Sequence, residues 1–507
     1  MSRSLFNNAL VSAGGFAVVG LVGLLLVPVL VGAYGIAGLG LIMLARLFLP
    51  GSGVGIFDFG ISEIATQIIV VGRVDADREQ TERRIGLLAL VTLLMAAAVA
   101  LPLVLFAVPI VRAFGVPSVD APGFVVVVQT TAALLPLLFL SLLFEGCLKG
   151  FEGFSALRFA DVFSSIVYAT FAVLLVWQGA AYLLIIWVHL ASLVIRTAII
   201  AITLSRTSSE PLNLGALPTP ADVQYVRDRA KVFFTSRILG ALIHQSPVIL
   251  IGLFIGPAGV GIYDALARLP RFAKSVFGML NTTLLPYAAR LDAAGDNNRI
   301  KMLLIFGLTI LPALVFPPLT AAAILSQPIL SVWLGPSFGS DGIWLAVFWA
   351  LPALNTIVSF QSYLLMSRIH FVRASNWVSA LQIVLQTAIS MLFMASFSQC
   401  AFIVGHVSAS ALLFVWQLSL MRREIDVPAH VIYRLAAFGS LLAILAAGAQ
   451  PFASTAASSW PVLIVVFITF WATIFYITYF FFLQPEERNM LGSTVRMLRR
   501  GRKDLSA

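Results

Sequence analysis

Charge is scarce in this sequence, cysteine is almost absent, and no long polar loop occurs apart from one stretch near the midpoint. Only 11% of the 507 residues are Asp, Glu, Lys or Arg, where a soluble domain carries about a quarter. That deficit excludes a soluble globular enzyme. Cys147 and Cys400 stand alone in apolar surroundings, which excludes a disulfide framework and a cysteine-based metal cluster. No Cys/His or His-Glu cluster has metal-ligand spacing, and no cofactor is expected. No Gly-x4-Gly-Lys phosphate loop is present, so ATP is not the direct energy source unless a partner supplies it. Gly335-Pro336-Ser337-Phe338-Gly339 fits a nucleophile-elbow pattern, but it falls in a short loop with no strand before it, and chance explains it better.

What is there instead is grease. Hydrophobic residues make up 60% of the chain and its mean hydropathy is +1.00. Apolar runs of roughly 20 residues or more recur from end to end, the length a helix needs to cross a bilayer. Hydropathy and its breaks predict an all-α polytopic membrane protein with about 14 transmembrane helices. The first span, 8–31, reads as a retained signal anchor. The loops alternate in chemistry: one set holds 25 of the 32 Lys and Arg, and the other holds only Arg112. The positive-inside rule then puts both termini of a multi-pass membrane protein in the cytoplasm. The same placement explains the net charge of +10 without a nucleic-acid partner.

The polar stretch Arg206–Asp222 divides the chain into an N-terminal lobe at 1–206 and a C-terminal lobe at 231–421, joined by a linker at 207–230. Two further spans fill 422–484, and a basic tail fills 485–507, expected to lie on anionic lipid. The halves look repeated. A37-G-L-G-L41 matches A258-G-V-G-I262, and each runs on to Ala-Arg-Leu at Arg46 and Arg268. Repeated halves around a central cavity are a common build for secondary transporters.

At these residues the chain resembles a known family. L5-F-N-N-A-L10 with V27-P-V-L-V-G-A-Y-G35, then F57-D-F-G-I-S-E63, L148-K-G-F-E-G-F154 and G261-I-Y-D-A-L-A-R268 are similar, in order and spacing, to the Wzx-like polysaccharide-export flippases. These belong to the multidrug/oligosaccharidyl-lipid/polysaccharide superfamily. The resemblance implies two pseudo-repeated six-helix lobes and a substrate of sugar units on undecaprenyl pyrophosphate, moved to the outer leaflet. Membrane lipid, a polysaccharide polymerase and export machinery are the implied partners.

Charges inside the spans then become candidates for function, because a charge at the bilayer centre costs about 2.5–3.5 kcal/mol on insertion scales. Asp264, Arg268, Arg271 and Ser275 share about a quarter-turn of one helix, with Lys274 at its margin. Arg237 and His244 share a face of the preceding span, and Arg46 lies near mid-depth of the second. Arg46, Arg268, Arg271, Arg237 and His244 are therefore the expected head-group ligands, since guanidinium binds phosphate oxygens bidentately. The bland alternative is snorkelling, or an Asp264–Arg268 pair at i,i+4. Asp58, Glu63, Glu145, Lys149 and Asp264 are expected as a gate or ion-coupling set, against the alternative of a structural ion-pair network. Arg196 is expected to anchor at the interface and Asp161 to pair with Arg158. His189 is expected to make a polar contact between helices.

Three functions compete. A flippase working by alternating access fits the cations and the short outer loops. A lipid II flippase is close in chemistry, whereas a drug or cation antiporter of the superfamily places an acidic residue in the first span, and 8–31 has none. A polymerase or ligase would need larger outer loops bearing polar residues, so no enzyme is expected.

Overall fold

A computed structural model describes residues 3–49, 60–75, 77–207, 217–282, 288, 291–292, 295–365, 368–453 and 459–489. No strand occurs among them. The long helices are α1 (Arg3–Arg46), α2 (Ile61–Asp75), α3 (Arg78–Leu105), α4 (Ala107–Ala113), α5 (Ala121–Gly150), α6 (Phe154–Trp177), α7 (Tyr182–Thr207), α8 (Pro220–Phe254) and α9 (Pro257–Thr282). They continue as α10 (Asn297–Ile324), α11 (Ser326–Trp333), α12 (Gly342–Phe348), α13 (Ala350–Leu365), α14 (Ile369–Phe397), α15 (Ala401–Glu424), α16 (Ala429–Ala453) and α17 (Trp460–Ile477). The chain is an all-α polytopic membrane protein.

Eleven helical stretches among the described residues are long and apolar enough to cross a membrane. Three merged or excluded spans account for the difference from fourteen. The helix α1 carries the first two spans, broken only at Gly35, whose φ of 68° a side chain would resist. The rest of the second span, 50–57, lies outside the described residues. The stretch His370–Glu424 holds two spans, α14 and α15, joined by a 3-10 turn at Ser398–Cys400. The helix α9 is long enough at 26 residues, but Arg268, Arg271 and Lys274 hold down its hydropathy.

By packing, the chain divides into two compact units, Met1–Ala265 with Ser379–Phe402, and Leu266–Val378 with Ile403–Ala507. In the first, α5 is central and packs against α2, α3 and α7, while α6 lies between α1 and α7. It buries Phe124, Val128, Leu135, Phe139 and Leu142 at helical spacing. Water cannot rescue backbone groups in hydrocarbon, so each helix break needs a protein partner. Pro247 in α8 has no N–H to offer the carbonyl of Ile243, four residues earlier. Gln386 of α14 supplies it, donating through Nε2 to Ile243 O at 2.9 Å and to Ser246 Oγ at 3.0 Å.

In the second unit, α10 is the buried axis, packed against α13, α16 and α17. Phe316, Phe438 and Phe482 stack in sequence, with ring centroids 5.8 and 4.0 Å apart. At one end of this unit Arg368 donates to Asp292 at 3.2 Å, Asn297 at 2.6 Å and the Glu424 carbonyl at 2.9 Å, gathering three chain segments on one guanidinium.

Candidate functional site

The amphipathic helix α2 lies along the last turns of α5. Its Thr66 hydroxyl donates to Gly146 O at 3.0 Å, and Arg73 donates to Gly150 O at 3.1 Å. This seat fixes the two residues that open α2. Ser62 Oγ accepts from Lys149 Nζ at 3.0 Å, and Glu63 forms an ion pair with Arg237 of α8. A residue expected at the head group and one expected at the gate are thus partners.

From Lys149 a chain of alternating charge runs across three helices. Lys149 pairs with Glu145 at 2.8 Å, one turn back on α5. Glu145 accepts from Arg196 of α7 at 2.7 Å, and the same guanidinium reaches Asp161 of α6 at 2.7 Å and Ser141 Oγ at 3.4 Å. Asp161 also accepts from Arg158 at 2.7 Å, whose guanidinium covers the Phe16 ring at 4.0 Å. Arg196, Glu145 and Asp161 keep only 16–17% side-chain exposure. Arg196 is therefore the buried centre of a network rather than an interfacial anchor, its planar fork bridging carboxylates on two neighbouring helices. Three cations face two carboxylates, which leaves the chain one positive charge in excess. Among the described residues no group of three His, Cys, Asp or Glu could hold a metal ion.

The repeated motifs meet each other. The helices α1 and α9 cross at Gly40 and Gly261, within the first unit. A Cβ on Gly40 would overlap the Pro257 carbonyl oxygen, and a Cβ on Gly261 would overlap that of Ile36. Each glycine faces the carbonyl four residues before the other, so the contact is reciprocal, as a local two-fold would make it. Small residues that let two helix backbones touch are a usual device of membrane packing. Arg46 follows Gly40 by six residues and Arg268 follows Gly261 by seven.

Arg46, Arg237 and His244 are half-buried or more exposed and lie in the first unit, as does Asp264, which is buried. Arg268 and Arg271 are half-buried in the second. There Arg271 and Lys274 lie within electrostatic reach of His406 on α15. His406 is buried, and as a lone histidine in F402-I-V-G-H406 it carries no spacing signal in the sequence. Asp58 lies outside the described residues. His189 is buried edge-to-face against Tyr168, with ring centroids 4.7 Å apart.

A second cluster fastens the start of α8. Thr219 and Asp222 form a capping box, and Asp222 also accepts from Arg83 at 3.2 Å and Arg84 at 3.1 Å on α3. The Tyr225 ring is held between the guanidiniums of Arg84, at 3.8 Å, and Arg229, at 3.4 Å. Asp222→Ala leaves the Thr219 cap but removes the carboxylate half of the capping box and both arginine contacts together. It is expected to cost about 2 kcal/mol, read as faster proteolysis at 217–231, whereas Arg83→Gln alone should cost less.

The fold is that of multi-pass membrane proteins built like the multidrug/oligosaccharidyl-lipid/polysaccharide (MOP) superfamily transporters. An inward-facing multidrug resistance MATE family transporter of that superfamily superposes with a TM-score of 0.62 at 13% identity, covering 83% of this chain and 96% of its own. The lipid II flippase MurJ, in an inward closed conformation, also gives 0.62 at 11% identity, covering 94% and 98%. A MOP superfamily transporter from Pyrococcus furiosus, described by the reversed polarity of its binding pocket, gives 0.55 at 13% identity, covering 82% and 95%. No curated protein matches the sequence. Residues 5–292 match the polysaccharide biosynthesis protein family, and the chain belongs to that family.

Proposed function

We propose that this protein is a flippase that moves polyprenyl-pyrophosphate-linked oligosaccharide units from the cytoplasmic to the outer leaflet of a bacterial inner membrane, by alternating access. The family match over residues 5–292 carries this reading, and the cations within the spans support it. Lobes at 1–206 and 231–421 rock about a cavity, both termini stay in the cytoplasm, and the protein acts without enzyme chemistry. Arg46, Arg237, His244, Arg268 and Arg271 receive the anionic head group. Asp58, Glu63, Glu145, Lys149 and Asp264 gate it or couple it to an ion. Polymerase and export machinery take the product.

The test is deletion of the gene in its own host. Lipid-linked repeat units should build up on the inner leaflet while surface glycan is lost, and build-up of lipid II instead would mark a peptidoglycan role. Arg46→Ala and Arg268→Ala should each lower export about tenfold or more at unchanged protein level, as loss of a charge-assisted contact of about 1.5–3 kcal/mol requires. Normal surface glycan and no build-up in a strain without a second flippase would refute the proposal.

A further inference from the structure

A groove opens on the side of the first unit between the start of α6 and the end of α7, with a volume of about 460 Å³. Phe159, Ile199 and Ile202 form its apolar wall, and Ser155, Thr203 and Arg206 sit at its polar rim. Phe159 is 61% exposed and Ile202 52%, so in the bilayer this wall faces lipid tails. Phe159 stacks on Phe163 at 5.8 Å, which stiffens the wall along α6.

Arg206 is the charged group on the groove's rim. Arg83, Arg84, Arg158, Arg196 and Arg237 each meet a carboxylate. Among the described residues Arg206 meets none, and it is exposed in the last turn of α7. The Thr203 hydroxyl is turned back to Ile199 O at 2.8 Å, which leaves the Ser155 hydroxyl and the Arg206 guanidinium as the rim's outward donors. An unspent guanidinium above an apolar slot at the end of two spans matches a phosphate on an acyl chain. Basic pockets between membrane helices bind acidic head groups in this way.

We propose that the α6–α7 groove is a binding site for an anionic glycerophospholipid, with one acyl chain against Phe159 and Ile202 and the phosphate on Arg206 and Ser155. The site is independent of the flippase reading and lies apart from the charges assigned to it.

Native mass spectrometry of the purified full-length protein titrated with phosphatidylglycerol tests this, with phosphatidylcholine and undecaprenyl phosphate as competing probes. The wild type should retain one phosphatidylglycerol at least about tenfold more tightly than phosphatidylcholine, the span of one charge-assisted contact. Arg206→Gln should erase that preference. Ile199→Trp, which fills the groove and keeps the charge, should lower retention of both phospholipids at this site. Equal retention of phosphatidylglycerol by wild type and both variants would overturn the proposal, as would a stronger preference for undecaprenyl phosphate. Both substitutions face lipid, so misfolding is separated from loss of binding by an unchanged melting curve in lipid-free detergent.

Discussion

Proteins carrying Gly40→Ala or Gly261→Ala are expected to melt well below the parent protein and to lose most of their transport activity. Either new methyl group would meet the backbone carbonyl of the facing helix, and a backbone cannot swing aside as a side chain can. The helices must separate, with a cost of about 3 kcal/mol, the upper range for overpacking. Because the contact is reciprocal, the two variants should be equally damaged. The double variant should cost less than the sum, since the second methyl enters a gap already opened. Thermal unfolding in detergent and surface-glycan complementation read the two effects. Gly32→Ala and Gly240→Ala serve as controls, because a Cβ at either meets nothing within 4 Å. If Gly40→Ala and Gly261→Ala behave like these controls, the helices do not touch as described.

The second large effect belongs to Arg196. Replacing it with methionine leaves Glu145 and Asp161 facing each other in an apolar bundle with their shared cation gone. Each carboxylate keeps one cation, Lys149 for Glu145 and Arg158 for Asp161, so the expected cost is about 3 kcal/mol, from the charge-assisted hydrogen bonds that joined α7 to α5 and α6. Arg196→Lys should recover only part, because an ammonium cannot span Glu145, Asp161 and Ser141 as the guanidinium does. Adding Glu145→Gln and Asp161→Asn to Arg196→Met should lower stability further, because Lys149 and Arg158 then lose their carboxylates. Full wild-type stability in Arg196→Met would mean that Lys149 and Arg158 alone hold the two carboxylates and the three helices in place. An Arg196→Met variant that stays folded but fails to transport would give these charges a part in the cycle beyond holding three helices together.

Which parts of this were legible in the sequence follows from distance along the chain. The Arg158–Asp161 pair and the Glu145–Lys149 pair lie three and four residues apart on single helices, and helical geometry alone brings them together. Arg196 joins them from 35 and 51 residues away, and no spacing rule reports the rotation of α7 about its axis. The repeated motifs are visible in the sequence as a match of letters, and the arginines that follow them are the conspicuous residues. The glycines themselves make the contact, because a residue without a side chain signals only that something must come close, not what. Glu63 and Arg237 were both singled out and given different tasks, since 174 residues separate partners that the seating of α2 makes neighbours.

The bond from Gln386 to the carbonyl that Pro247 leaves bare has a consequence for how the protein is made. The two ends lie 143 residues apart, which at about 5–20 residues per second is roughly 7–30 s of synthesis. Through that interval α8 would sit in the membrane with an unanswered carbonyl, and the first unit would lack its segment Ser379–Phe402. Insertion cannot then be a simple procession of finished helices. The early spans must wait in a provisional arrangement until α14 arrives to close the unit.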